Sequence, residues 1–193
     1  MFNQRHYNNV ATAFLEGTKN YSQKLLPFSV ASFFVSRVDT EIDKLLVDKD
    51  KNHKLLGKTA IINSRLAYIT FLKKFPNQNK KPLQKPLWGS TGTKNPNYSD
   101  SVYIDKLIAP NTVNTVPLDT IEKFAKKGKP ENYNGWNEKE ILSQLSDLNK
   151  MGIDLNQITE NLQTKGVQLF VDSFDNLINS IKSKINNIQT QSI

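Results

Sequence analysis

The chain has 193 residues, 37% apolar, 9% aromatic and 23% charged, which suits one soluble globular domain with a sizeable core. The longest apolar stretch, near residues 30–35, is too short to span a bilayer, and the opening MFNQR lacks both an apolar run and a small-residue cleavage site, so neither a membrane span nor a signal peptide is expected and the chain reads as cytoplasmic. With no cysteine there is no disulfide, thiolate nucleophile or cysteine metal site. The formal charge of +8 rests on 26 basic residues, only three of them arginine (Arg5, Arg37, Arg65) and none interleaved with aromatics, so it reads as a lysine-rich surface and not as a nucleic-acid groove.

In chain order, residues 4–19 place Tyr7, Val10, Ala11, Phe14 and Leu15 at helical spacing, with Gly17 near the end. Residues 28–35 form a continuous apolar run broken only by serine, the pattern of a strand buried on both faces. Charge appears abruptly at Arg37 and Asp39, and residues 40–48 and 53–75 then read as two helices. A polar linker over 77–85 leads to a short strand at 86–90, a loop at 91–96 and a short helix at 98–105. A third strand is expected at 106–109, stopped by Pro110. Helices follow at 118–127, 137–151, 154–164 and 167–188, with fraying over the last ten residues or so. Strands separated by helices predict parallel βαβ units.

The polar residues cluster just after each strand, where active sites form in a (β/α)₈ barrel. Ser32, Arg37, Ser90 and Lys94 would suit a phosphorylated sugar there, since arginine and lysine make charge-assisted bonds to phosphate. The residues alone leave a plainer reading open: Arg37 pairs with Asp39 or Glu41, and Lys94 is a solvated loop lysine. The stretch GSTGTKN at 89–95 is similar to a P-loop, but its lysine does not follow the glycine directly and no Ser or Thr follows the lysine. His6 and His53 are far apart and head no ligand spacing, so no metal site is expected.

Three segments, ASFFVSRVD at 31–39, LWGSTGTKNP at 87–96 and LIAPNTVNTVP at 107–117, together resemble a bacterial branch of the transaldolases. Their order matches the sixth, seventh and eighth barrel strands of that family. The opening MFNQRHY resembles the end of the fifth strand and the start of its helix, while GIDL at 152–155 and GVQLFVDS at 166–173 are similar to its C-terminal helices. The resemblance implies a partial (β/α)₈ TIM barrel of the α/β class, strands six to eight with their helices over 1–127, plus a helical extension over 128–193 whose helices pack on the barrel. It implies transfer of a dihydroxyacetone unit between sugar phosphates of the pentose phosphate pathway, through a lysine Schiff base and with no cofactor. Carried over residue by residue, Ser32 matches the strand-six serine, Phe34 the aromatic that follows it, Arg37 the phosphate-binding arginine and Ser90 the strand-seven serine. Lys94 lies slightly later than the basic residue that binds phosphate in other branches.

The lysine, aspartate and glutamate that carry the family's chemistry belong to strands upstream of these, so no catalytic residue is assigned here. A fragment inactive alone, and one half of an enzyme completed by a separate N-terminal chain, are both expected readings. A non-catalytic basic binding module is the alternative.

Overall fold

The computed structural model describes residues 1–19, 21, 28–78 and 82–190. Its elements are α1 (Gln4–Lys19), β1 (Ser29–Phe34), α2 (Ser36–Lys49), α3 (Thr59–Lys74), β2 (Gln84–Gly89), α4 (Val102–Leu107), β3 (Val113–Asn114), α5 (Leu118–Lys127), α6 (Glu138–Lys150) and α7 (Leu155–Thr190). The strands form one parallel sheet in the order β1-β2-β3, with Ser29 opposite Gln84, Phe34 opposite Gly89, and Leu87 opposite Val113. It is therefore a mixed α/β fold with a small parallel sheet and many helices.

Alternate residues along the strands point to opposite faces. Ala31, Phe33, Pro86 and Trp88 are buried on one face, where Phe33 meets Trp88 edge to face at 5.8 Å. On the other face Ser32 is exposed and Phe34 and Leu87 are half-buried. The expectation that the first strand is buried on both sides is thus corrected. On this face Phe34 is partly covered by the Phe2 ring, while Ser32 stays open. Pro86 sits in the middle strand without harm. It shares the side of Trp88, whose carbonyl meets Thr115 N, and pairing with β3 begins only at Leu87.

α3 carries the core. Nearly every side of it is covered, with Ala60, Ile62, Ala67, Tyr68 and Phe71 all buried, as expected of a helix packed between other elements. Its start is capped from a distance: Ala60 N donates to Asp39 Oδ1 at 2.6 Å, and Gly57 N to Asp43 Oδ1 at 3.0 Å. Gly57 has a φ of +65° and packs under the Tyr98 ring, which explains why turns occupy the segment before Thr59 where the sequence reads as helix.

The strand expected at 106–109 is not one. Leu107 closes α4, Trp88 Nε1 donates to the Leu107 carbonyl at 3.1 Å, and Tyr68 Oη donates to the Pro110 carbonyl at 2.9 Å. Asn111 turns the chain with a φ of +58°, and the third strand is Val113–Asn114. A short apolar run has no periodicity to separate strand from helix end. α2 likewise starts at Ser36, earlier than the sequence reading. The two helices expected around Gly166 are one, because a glycine inside a helix costs only about 1 kcal/mol and no proline or cap stops the chain there. The Lys80-Lys81 pair, part of the 77–85 linker and residues 191–193 of the tail expected to fray lie outside the described residues.

Candidate functional site

The sheet ends are stitched together by short polar contacts. Val35 N donates to the Gly89 carbonyl and Ser36 N to the Ser90 carbonyl, both at 3.0 Å, which carries α2 directly off the end of β1. Ser36 Oγ and Ser90 Oγ lie 3.1 Å apart. Ser90 holds a φ of +56°, a left-handed backbone that few residues other than glycine adopt. Thr91, wholly buried, donates either to Asn114 Oδ1 or to the Thr115 carbonyl, each at 3.0 Å, and Thr115 Oγ1 reaches back to the Trp88 carbonyl at 3.2 Å. Three strand ends therefore share one polar seam.

Beside it, the Phe34 ring has two close neighbours. Phe2 approaches at 5.2 Å between centroids, and the Arg37 guanidinium stands 5.9 Å from the Phe34 centroid. Arg37 is exposed in the first turn of α2 and, among the described residues, forms no ion pair. The carboxylates named as its plainer partners are engaged elsewhere: Glu41 pairs with Lys44 at 3.0 Å, and Asp39 accepts from Ala60 N and from Tyr103 Oη at 2.9 Å. Phe34 and Arg37 line a cavity of about 520 Å³ with Met1, His6, Gln163 and Phe170.

Lys94 does not join them. It is exposed and lines a different cavity of about 590 Å³, with Asp39, Asp43, Lys44, Asp48 and Tyr98. Ser32 lies on the open face of β1 and lines neither cavity. Of the five residues singled out, the fold brings Phe34 and Arg37 together, places Ser32 on β1 and Ser90 just past the end of the neighbouring β2, and sets Lys94 apart.

Ser36, Thr91 and Asn114 belong to the polar clusters that the sequence places after the three strands, but it gives them no role; the bonds by which they hold the strand ends together carry no spacing signal. Asp39, at the start of α2, accepts from Ala60 N at the start of α3. Burial pushes the Asp39 carboxyl up to about 7, against the pull of its donors Ala60, Tyr103 and Thr59 and with a further push from the Asp43 charge. Among the described residues no group of three His, Cys, Asp or Glu side chains could hold a metal ion.

No described helix is long and apolar enough to cross a membrane. The family model for Transaldolase/Fructose-6-phosphate aldolase matches residues 1–181. The chain is 38% identical to a transaldolase of Saccharopolyspora erythraea, with 96% of this chain and 54% of the relative aligned. It is 36% identical to a transaldolase of Trichodesmium erythraeum over 96% of this chain and 55% of that protein, and 35% identical to one of Mycobacterium tuberculosis over 96% and 54%. The chain spans about half the length of the curated relatives it matches. With the family model matching nearly the whole chain, the chain belongs to the transaldolase family.

Proposed function

We propose that these residues form the phosphate-binding side of a transaldolase-type transferase, which moves a dihydroxyacetone unit between sugar phosphates. In this reading β1, β2 and β3 are the sixth, seventh and eighth strands of a (β/α)₈ barrel, and the open face bearing Ser32 and Phe34 lines its interior. Backbone bonds along the outer edge of β1 support it. Met1 N donates to the Ser32 carbonyl at 3.1 Å and Phe34 N to the Met1 carbonyl at 2.9 Å, the alternation of a parallel ladder. A fifth strand ending at Met1 would pair in that way.

The observation that carries the proposal is Arg37: an exposed guanidinium at a strand end, free of carboxylate partners among the described residues, held over an aromatic ring at the edge of a cavity. Its planar fork suits a phosphate dianion. Ser32 and Ser90 would meet sugar hydroxyls from neighbouring strands. Phe34 sets the ring that holds the guanidinium. Lys94, exposed and in the other cavity, is left as a contact to solvent or to a distal phosphate oxygen.

Cleaving a carbon–carbon bond next to a ketone requires an electron sink, which an iminium supplies. An amine held among barrel strands is needed, and no residue of this seam provides one. The amine is expected from the N-terminal half of the family's chain, as a separate or contiguous partner. Cytoplasmic sugar phosphates of the pentose phosphate pathway are the expected substrates.

The test is to incubate the chain with fructose 6-phosphate, reduce with borohydride and weigh it. No adduct is expected from the chain alone. Mixed with an N-terminal half from a relative, an adduct should appear on that half. A sugar-phosphate adduct on a lysine of this chain would refute the assignment. Salt-sensitive DNA binding with no effect of sugar phosphates would favour the basic binding module instead.

A further inference from the structure

We propose that Asn134 is a site of spontaneous covalent modification, where the side-chain amide is lost through a cyclic imide with Gly135 and replaced by aspartate or isoaspartate. Of all the asparagines in the sequence, Asn134 alone is followed by glycine. The attacking group in this reaction is the backbone nitrogen of the next residue, and a side chain on that residue hinders its approach. Glycine, with no Cβ, leaves the path open. Several other asparagines are guarded. Asn63 lies inside α3 and donates to the Phe2 carbonyl at 2.6 Å, Asn114 sits in β3 and accepts from Thr91, and Asn95 precedes a proline, which has no N–H.

The fold leaves the pair accessible. Residues 128–137, between α5 and α6, form neither helix nor strand, and Asn134 and Gly135 are both exposed. Gly135 has a φ of +89°, and nothing lies within 4 Å of the place a Cβ would take. Among the described residues neither Gly135 N nor the Asn134 side chain makes a hydrogen bond. No helix or ladder bond has to break before the nitrogen turns toward the side chain.

The chemistry needs only water. Gly135 N gives its proton to solvent base and attacks Asn134 Cγ, forming a new C–N bond. The side-chain nitrogen leaves as ammonia, taking up a proton from solvent, and the imide is closed. Water then opens the ring at either carbonyl. Breaking the bond to Cγ gives aspartate, and breaking the bond to the backbone carbonyl gives isoaspartate, with the main chain routed through the side chain. Both products carry OH where NH2 stood, and nothing is oxidised or reduced.

The surroundings give the change a structural effect. Upstream, Glu131 pairs with Arg65 at 3.2 Å and with Lys106, and its N–H donates to the Asp105 carbonyl at 2.8 Å. On either side of the pair, the Tyr133 and Trp136 rings stand edge-on to Tyr68, at 5.4 and 5.1 Å. Isoaspartate lengthens the main chain between these two anchors by a carbon and so loosens the seat of Trp136. Either product also sets a carboxylate in the cavity of about 690 Å³ that Asn134 lines with Arg65, Glu131 and Glu140, adding to the two acidic groups that already act on Arg65.

The test holds the whole chain in warm, mildly alkaline buffer for days and weighs its tryptic peptide 128–139. Exchange of NH2 for OH should appear at Asn134 roughly tenfold faster than at any other asparagine and speed up as the pH rises, with part of the product methylated by an isoaspartyl methyltransferase. Gly135→Ala should slow it roughly tenfold. Asn134→Gln, a change at an exposed side chain, should abolish it and leave the circular dichroism unaltered. The iodide-quenchable part of the tryptophan emission should redden in step with isoaspartate in the wild-type chain and stay constant in Asn134→Gln. Equal rates at other asparagines, or conversion of Asn134 only in urea, would overturn the proposal, the latter by showing that the fold holds the pair out of reach. Isoaspartate that accumulates with no change in emission would overturn the loosening of Trp136.

Discussion

At the scale of single residues, two side chains set distinct expectations. In an assembled enzyme Arg37→Ala should lower kcat/KM by about 10- to 150-fold, the loss of one charge-assisted hydrogen bond worth roughly 1.5–3 kcal/mol. The loss should be larger for phosphorylated than for dephosphorylated substrate, and equal losses would mark Arg37 as structural. Asp39 governs stability. Its carboxyl titrates at about 7 in the fold, above the ordinary aspartate value, so the folded state holds the proton more tightly than the unfolded chain does. Stability is then fully present in acid and declines as the pH rises from about 4 through 7, by at most about 1.4 kcal/mol per pH unit. Asp39→Asn keeps an acceptor for Ala60 N and should flatten that slope in urea titrations at successive pH values. An unchanged slope would show that another group sets it. Arg37 stood out in the sequence because it follows a strand directly. The clamp around Asp39 did not, because its partners Ala60 and Tyr103 come from distant segments.

Among the elements, helices with an apolar face were the most legible. α1, α5 and α6 lie where periodicity and punctuation place them, within a residue or two. The third strand was not legible. It has two residues, and its place is decided by the Trp88 and Thr91 bonds to the following loop, which no local pattern announces. The candidate site was legible in part for the same reason: Phe34 and Arg37 are neighbours in sequence, whereas the distance from either to Lys94 depends on how the loop after β2 folds. α3 is the element on which the fold leans hardest. Phe71 is wholly buried and packs on Tyr68 and Phe75, both at 5.5 Å. Phe71→Ala should therefore cost roughly 3–5 kcal/mol, lowering the urea midpoint with little change in its slope.

At the scale of the whole molecule, a three-stranded parallel sheet leaves both edges poorly covered: among the described residues β1 meets only Met1 on its outer side, and β3 has two residues. Unpaired strand edges template further pairing, so the chain alone is expected to be poorly stable or to associate through them. Such growth is open-ended, and light scattering on slow heating would reveal it. A sharp, reversible transition from a clean monomer would count against this.

The two tryptophans sit in contrasting surroundings, and this makes the chain its own optical instrument. Trp88 is 1% exposed, edge-on to Phe33 and bonded through its ring nitrogen to the Leu107 carbonyl. Trp136 is half-buried beneath the Arg65 guanidinium, 5.0 Å from its ring centre, at the rim of an aromatic cluster with Tyr68 and Tyr133. Emission from Trp88 should be blue-shifted and sheltered from iodide, while that from Trp136 should be redder and quenched. With Trp136→Phe, fluorescence follows the sheet alone; with Trp88→Phe, it follows the segment between α5 and α6. If the two traces separate in denaturant, the cluster around Arg65 melts apart from the sheet, and if they coincide the chain unfolds as one unit.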